Sequence, residues 1–145
     1  MKNKLLFISG KILSLLTVIE TVIFGIINFE NILYNYQWGF IISTKPSKSL
    51  HAKYQYWLED IYGKEEGFEA YWKIVDFTIW IIKHHINEMF LVATILMMLG
   101  IMWINKKLNK KMNIVLKVYF IISILVMYWT ITELGPFYID SIYDS

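Results

Sequence analysis

Glu20 is the residue whose chemistry is hardest to ignore, because it stands in the middle of an apolar run. An ionised carboxylate at the centre of a membrane helix costs about 2.5–3.5 kcal/mol on insertion scales unless it is protonated, paired or hydrated. Thr17 and Thr21, with Ser14 and Asn28, fall on roughly the same side of a helix. Such a cluster can relay a proton or cation or contact a ligand; its plainer use is a carboxylate satisfied by a neighbouring helix or subunit.

A second group is His84 and His85, with Glu88 one turn beyond His84 and Asp76 two turns before it. Imidazole and carboxylate at i and i+4 can share a metal ion or a proton. Adjacent histidines on a regular helix point about 100° apart, however, so both do not converge on one ion. A helix side-chain pair at a membrane edge is the expected role, and no metal is expected to bind.

The remaining candidates are weaker. His51, the third histidine, falls in a loop, which leaves no facing pair for an intramembrane haem. The aromatic stretch 34–40 reads as a headgroup belt before it reads as a quinone or lipid pocket. Met97, Met98 and Met102 lie in an apolar span, where thioethers serve as adaptable packing more often than as Cu(I) ligands. Glu133, with Thr130 and Ser123 on its face, reads as a solvated residue near the end of the last span.

The elements that must position these residues follow from the hydropathy pattern. The apolar run from about 5 to 38 exceeds the roughly 20 residues that cross a bilayer. The polar stretch 43–49 ends it, and Leu50, Tyr54, Trp57, Leu58 and Ile61 then recur at helical spacing up to Gly63. That spacing predicts a short amphipathic surface helix. From Phe68 to Gly100 neither proline nor glycine intervenes, yet polarity changes midway. Glu69, Lys73, Asp76, Lys83 and Asn87 share a stripe, whereas 89–104 is uninterrupted apolar. A lysine-rich turn at 105–111 precedes a last span from 112 to 134, which Gly135-Pro136 stops.

The expected fold is an all-α integral membrane bundle in one domain over 1–145. Four spans are predicted, near 5–38, 68–86, 87–105 and 112–134, with the surface helix in the 39–67 loop. The alternative has three spans with a long second helix. Lysine placement separates the two, since short cytoplasmic loops are rich in lysine. With four spans, Lys45, Lys48, Lys53, Lys64, Lys106, Lys107, Lys110 and Lys111 share a side against Lys2, Lys4 and Lys83, eight against three. With three spans the tally is six against six. Trp80 argues the other way, because it would sit mid-membrane in the four-span arrangement.

Composition agrees with a lipid solvent: 57% of residues are hydrophobic, 17% aromatic and only 18% charged, and the mean hydropathy is +0.45. The absence of cysteine excludes thiol redox chemistry and thiolate-held clusters. All basic residues are lysines and the net charge is only +2, so no nucleic-acid partner is expected. The first segment imitates a secretory signal but lacks a small-residue cleavage site, and it is expected to be retained.

These readings predict a multi-pass membrane protein that is an accessory, non-catalytic subunit of a larger membrane complex. Its expected partners are membrane lipids and other transmembrane subunits, with bound lipid but no cofactor. A proton, cation or small-molecule carrier using Glu20 is the alternative. A metal-dependent membrane enzyme using His84, His85 and Glu88 ranks third.

Overall fold

The computed structural model describes residues 2–35 and 57–143, which are helical apart from short turns. Helix α1 covers Lys2–Ile27 and α2 covers Phe29–Asn35. Residues 57–62 are helical, followed by α3 at Lys64–Lys83 and α4 at Ile86–Lys107. Helix α5 runs over Ile114–Trp129, a π-helical turn over Thr130–Leu134, and α6 over Gly135–Tyr143.

Among the described residues three segments are long and apolar enough to cross a membrane: Lys2–Ile27, Ile86–Lys107 and Ile114–Asp140. At about 1.5 Å per residue, α4 alone is roughly 33 Å long, enough for a hydrocarbon core of about 30 Å. The sequence suggests four spans, and two of the expected boundaries change. The first apolar helix stops at Ile27, because Asn28 interrupts it and its carbonyl accepts from Ile32 N–H at 2.9 Å to start α2. Asparagine side chains compete for backbone groups, which makes them poor helix interiors. The segment expected at 68–86 forms α3, but its charges keep it outside the apolar class. Of the surface helix, only residues 57–62 fall within the described residues.

Local chemistry explains the other helix ends. No proline or glycine separates α3 from α4. Instead His85 adopts a left-handed backbone, φ 57°, and the His84 ring nitrogen Nδ1 donates to the Trp80 carbonyl at 2.9 Å. A carbonyl left open at the helix end is thereby satisfied. After α4, Asn109 is left-handed, φ 54°, and Lys110 N–H reaches back to the Asn105 carbonyl at 2.9 Å. This is the hydrogen-bond pattern of a Schellman end. Asn113 then caps α5, its Oδ1 accepting from Val115 N–H at 2.9 Å.

The π turn follows from Pro136 and Gly135. Proline has no N–H and its ring crowds the carbonyl four residues back, which widens the helix there. Gly135 permits the close approach, since a Cβ would come to 3.2 Å from the Thr130 carbonyl oxygen.

The chain forms two compact units. Unit 1 comprises Met1–Ile26 and Asn87–Trp129. Its helices α1 and α4 are antiparallel: going up α1, Leu13 meets Gly100, Thr17 meets Met97, Glu20 meets Thr94 and Phe24 meets Phe90. Each step of three or four residues along α1 is matched by a step of three or four down α4. Thr94 also meets Met127 of α5, so α5 runs antiparallel to α4 as well. The chain therefore enters and leaves unit 1 at Ile26, Asn87 and Trp129 from the end remote from the 108–113 turn.

Unit 2 comprises Ile27–Ile86 and Thr130–Ser145. Here α2 packs against α3 and α6, around a core of Leu58, Tyr71, Val75 and Tyr138 with Ile74, Ile79 and Ile82 beside it. Gly67, Tyr71, Val75, Thr78 and Ile81 form the buried face of α3. Its expected polar stripe is turned outward at Glu69, Lys73, Asp76 and Lys83, which are all exposed, with Trp80 among them; Asn87, expected on the same stripe, lies past the break in α4 and is buried.

Candidate functional site

The polar side chains of unit 1 meet along the α1–α4 seam. Thr17 is fully buried; its hydroxyl donates to the Leu13 carbonyl at 2.8 Å and lies 3.6 Å from the Met97 sulfur. One turn on, Thr94 Oγ1 donates to Glu20 Oε2 at 2.7 Å. The same hydroxyl lies 2.9 Å from the Phe90 carbonyl and 3.4 Å from the Met127 sulfur. Thr21 pairs with the Tyr119 hydroxyl of α5 and with the Val18 carbonyl at 2.9 Å. The other carboxylate oxygen of Glu20, Oε1, is enclosed and meets no hydrogen-bond donor among the described residues.

Thr94 carries one proton and faces two acceptors, Glu20 Oε2 and the Phe90 carbonyl. It can donate to the carboxylate; alternatively a protonated Glu20 can donate to Thr94 while the hydroxyl turns to the backbone. Those two arrangements are what a carboxyl–hydroxyl pair offers a proton. Sequence spacing brings Glu20, Thr17 and Thr21 together on α1, but it misses Thr94, Tyr119 and Met127. A threonine inside the apolar 89–104 run was the one available signal.

The second candidate group does not assemble. Asp76, His84 and His85 are exposed and belong to unit 2. Glu88 lies beyond the break, in the first turn of α4 and in unit 1. His84 and Glu88 therefore no longer share a continuous helix, and the His84 ring is turned to the Trp80 carbonyl and lies 4.8 Å from the Trp80 ring between centroids. Among the described residues no three His, Cys, Asp or Glu side chains are grouped to hold a metal ion. Met97 is engaged by Thr17, and Met102 is exposed. Glu133 is exposed on the π turn. His51 and the side chains of the aromatic stretch 34–40 lie outside the described residues.

Unit 2 holds a polar cluster that the sequence reading does not assemble, having set Asn28 beside Glu20 and Thr130 beside Glu133. Asn28, Glu30 and Asn31 are fully buried, as are Thr130 and Tyr138. The Tyr138 hydroxyl donates to Glu30 Oε1 at 3.5 Å. Burial pushes the Glu30 carboxyl up to about 8, against a smaller downward pull from Tyr138. Because its folded value is raised, the native state holds this proton through a pH range where the unfolded chain has lost it. Stability must therefore fall as pH rises from the ordinary carboxylate range through about 8, and level off above. Thermal unfolding of the detergent-solubilised chain at pH 5, 7 and 9 should show this fall. Glu30→Gln should flatten it; an equal fall in the variant would assign the pH dependence elsewhere.

The seam and the Glu30 cluster are alike in kind, being helix-joining polar contacts with a carboxyl at their centre. Searches against protein-family models, curated proteins and solved structures return no match for this chain.

Proposed function

We propose that this chain is a non-catalytic, multi-pass subunit that acts by assembling with other helices in a membrane. The observation that carries the reading is the disposition of the polar side chains in unit 1. Thr17, Glu20, Thr21, Thr94 and Tyr119 all contact one another or a neighbouring helix, and polar contacts of this kind join helices in lipid. Very little of the apolar spans is covered from within: 11%, 17% and 22% of the three span windows are buried. The uncovered surface is available to lipid and to partner helices.

The topology that goes with this reading has three spans. In a four-span chain the first and third spans run in the same direction, whereas α1 and α4 are antiparallel. In a three-span chain α3 does not cross the membrane, and its outward stripe faces water. Lys2 and Lys4 then share one side with Lys106, Lys107, Lys110 and Lys111, a six-against-six balance with the lysines between 45 and 83. A cysteine at Trp80, which is exposed where Ile81 is buried, should react with a membrane-impermeant thiol reagent from one side. A cysteine at Asn109 should react from the other. Shielding of Trp80→Cys on both sides would restore the fourth span.

The assembly reading is tested by photo-crosslinking from the exposed span positions Leu96 and Ile121. Discrete adducts with another membrane protein, or with a second copy, are expected at one of them. Lipid adducts alone at both, from a purified chain that is monodisperse by itself, would overturn it. A second reading, a proton or cation carrier, is favoured by the enclosed Oε1 of Glu20. It predicts flux in liposomes containing this chain only, abolished by Glu20→Gln.

A further inference from the structure

We infer that unit 1 contains a binding site for one anionic phospholipid, at the end of the bundle formed by the start of α1 and the 108–113 turn. A cavity of about 670 Å³ opens there between α1, α4 and α5. Its volume falls within the roughly 300–1,000 Å³ typical of small-molecule sites. Its chemistry is divided lengthwise. Lys11, Lys110, Lys111 and Asn105 line it at or near the turn, while Val18, Ile101 and Leu116, farther along their helices from the turn, give it apolar lining. A phosphate-bearing headgroup with the upper part of one acyl chain matches that division; a wholly soluble anion leaves the apolar wall unused.

The charge arrangement is the stronger half of the argument. The ammonium groups of Lys11 and Lys110 both lie 4.6 Å from the centre of the Phe7 ring. Two like charges are thus gathered on one aromatic ring, with Lys111 also lining the cavity, and among the described residues no acidic side chain lines it. Cations held together without a counter-charge repel one another unless an anion joins them. The lysine-bearing end of an apolar helix bundle is also where a lipid phosphate would be met, and basic pockets between membrane helices bind such headgroups. Lys106 and Lys107, in the last turn of α4, stand at the same end but do not line the cavity, which makes them a matched control.

The inference rests on unit 1 spanning the membrane with the 108–113 turn at one surface, and not on the chain being an accessory subunit. Labelling at Asn109 checks the first point separately. The test is retention of added palmitoyl-oleoyl phosphatidylglycerol against phosphatidylcholine by the purified full chain, read by native mass spectrometry. One phosphatidylglycerol should be retained in preference. Lys110→Gln with Lys111→Gln should weaken its retention by about tenfold or more, whereas Lys106→Gln with Lys107→Gln should leave it nearly unchanged. Leu116→Trp, which fills the apolar wall without touching a lysine, should weaken it too. Added inorganic phosphate should not displace the lipid. Equal loss in the two lysine pairs, equal retention of phosphatidylcholine, or displacement by phosphate would each overturn the proposal.

Discussion

Gly67→Ala is expected to disrupt unit 2 more than the same change at any other described glycine. A Cβ at this position would lie 2.4 Å from Glu59 Cα, 2.6 Å from Glu59 N and 2.7 Å from the Leu58 carbonyl carbon. All three are backbone atoms, so no side-chain rotation relieves the overlap, and the helical segment 57–62 must back away from α3. Leu58, which is buried, leaves the core it shares with Tyr71, Val75 and Tyr138 as it does so. Overpacking typically costs about 1–3 kcal/mol, and the loss of Leu58 burial adds to that.

The geometry that forces this approach is local. Gly63 takes a left-handed backbone, φ 93°. Its N–H bonds the Glu59 carbonyl at 2.9 Å, and its own carbonyl accepts from Gly67 N–H at 2.8 Å. The chain therefore reverses within a few residues and lays 57–62 directly across the first turn of α3. Gly25→Ala is the control, because a Cβ there meets nothing within 4 Å. Thermal unfolding should show a clear drop for Gly67→Ala and none for Gly25→Ala. Hydrogen exchange at Gly67 should accelerate in the first variant only; unchanged exchange there would mean the two segments are not packed as described.

How far the sequence reveals such features depends on their range. The apolar spans, the lysine turn and the Gly135-Pro136 interruption are all local, and residue type alone marks them. The outward stripe of α3 is also visible in the periodicity of Glu69, Lys73, Asp76 and Lys83. What that stripe faces is not local: a polar stripe suits an inner membrane face as well as a water-facing one. The proposed topology turns on direction, and direction depends on which residue of α1 meets which residue of α4. Nothing in the spacing of Leu13, Thr17, Glu20 and Phe24 names Gly100, Met97, Thr94 and Phe90 as their partners.

The helix breaks show the same limit from the other side. His85 and Asn109 both adopt left-handed backbones, but only Asn109 sits in a stretch whose composition announces a turn. At His84-His85 the helix is ended by a ring nitrogen on a carbonyl one turn back, an option that residue types permit without requiring it. Asn28 likewise interrupts an apolar run that hydropathy alone carries through to Trp38. Glu30 consequently reads as a span residue in sequence, while in the fold it is buried in unit 2 beside Tyr138.

At the α1–α4 seam, Thr94→Val is expected to be more damaging than Glu20→Gln, although it is the smaller chemical change. Valine keeps the shape of threonine but removes the only hydrogen-bond donor that Glu20 Oε2 meets among the described residues. Since Oε1 already meets no donor among the described residues, the carboxyl is left inside the bundle without one. Orphaning a buried polar group costs about 1–3 kcal/mol. Glu20→Gln retains the partner instead: its amide can donate to Thr94, whose hydroxyl then turns to the Phe90 carbonyl 2.9 Å away. Glu20→Leu removes the carboxyl and the bond together, a modest loss of about 0.6 kcal/mol on average for interhelical hydrogen bonds in membranes. Combined with Thr94→Val it should recover most of what the valine alone loses, because no orphaned group remains. Unfolding of the four variants in detergent, with the wild type, forms a double-mutant cycle that reads this coupling directly. Additive losses in the double variant would mean that Glu20 and Thr94 do not act as a pair. If every variant folds equally well while Glu20→Gln alone abolishes a proton- or cation-linked flux, the seam is a conduction site, and the carrier reading displaces assembly.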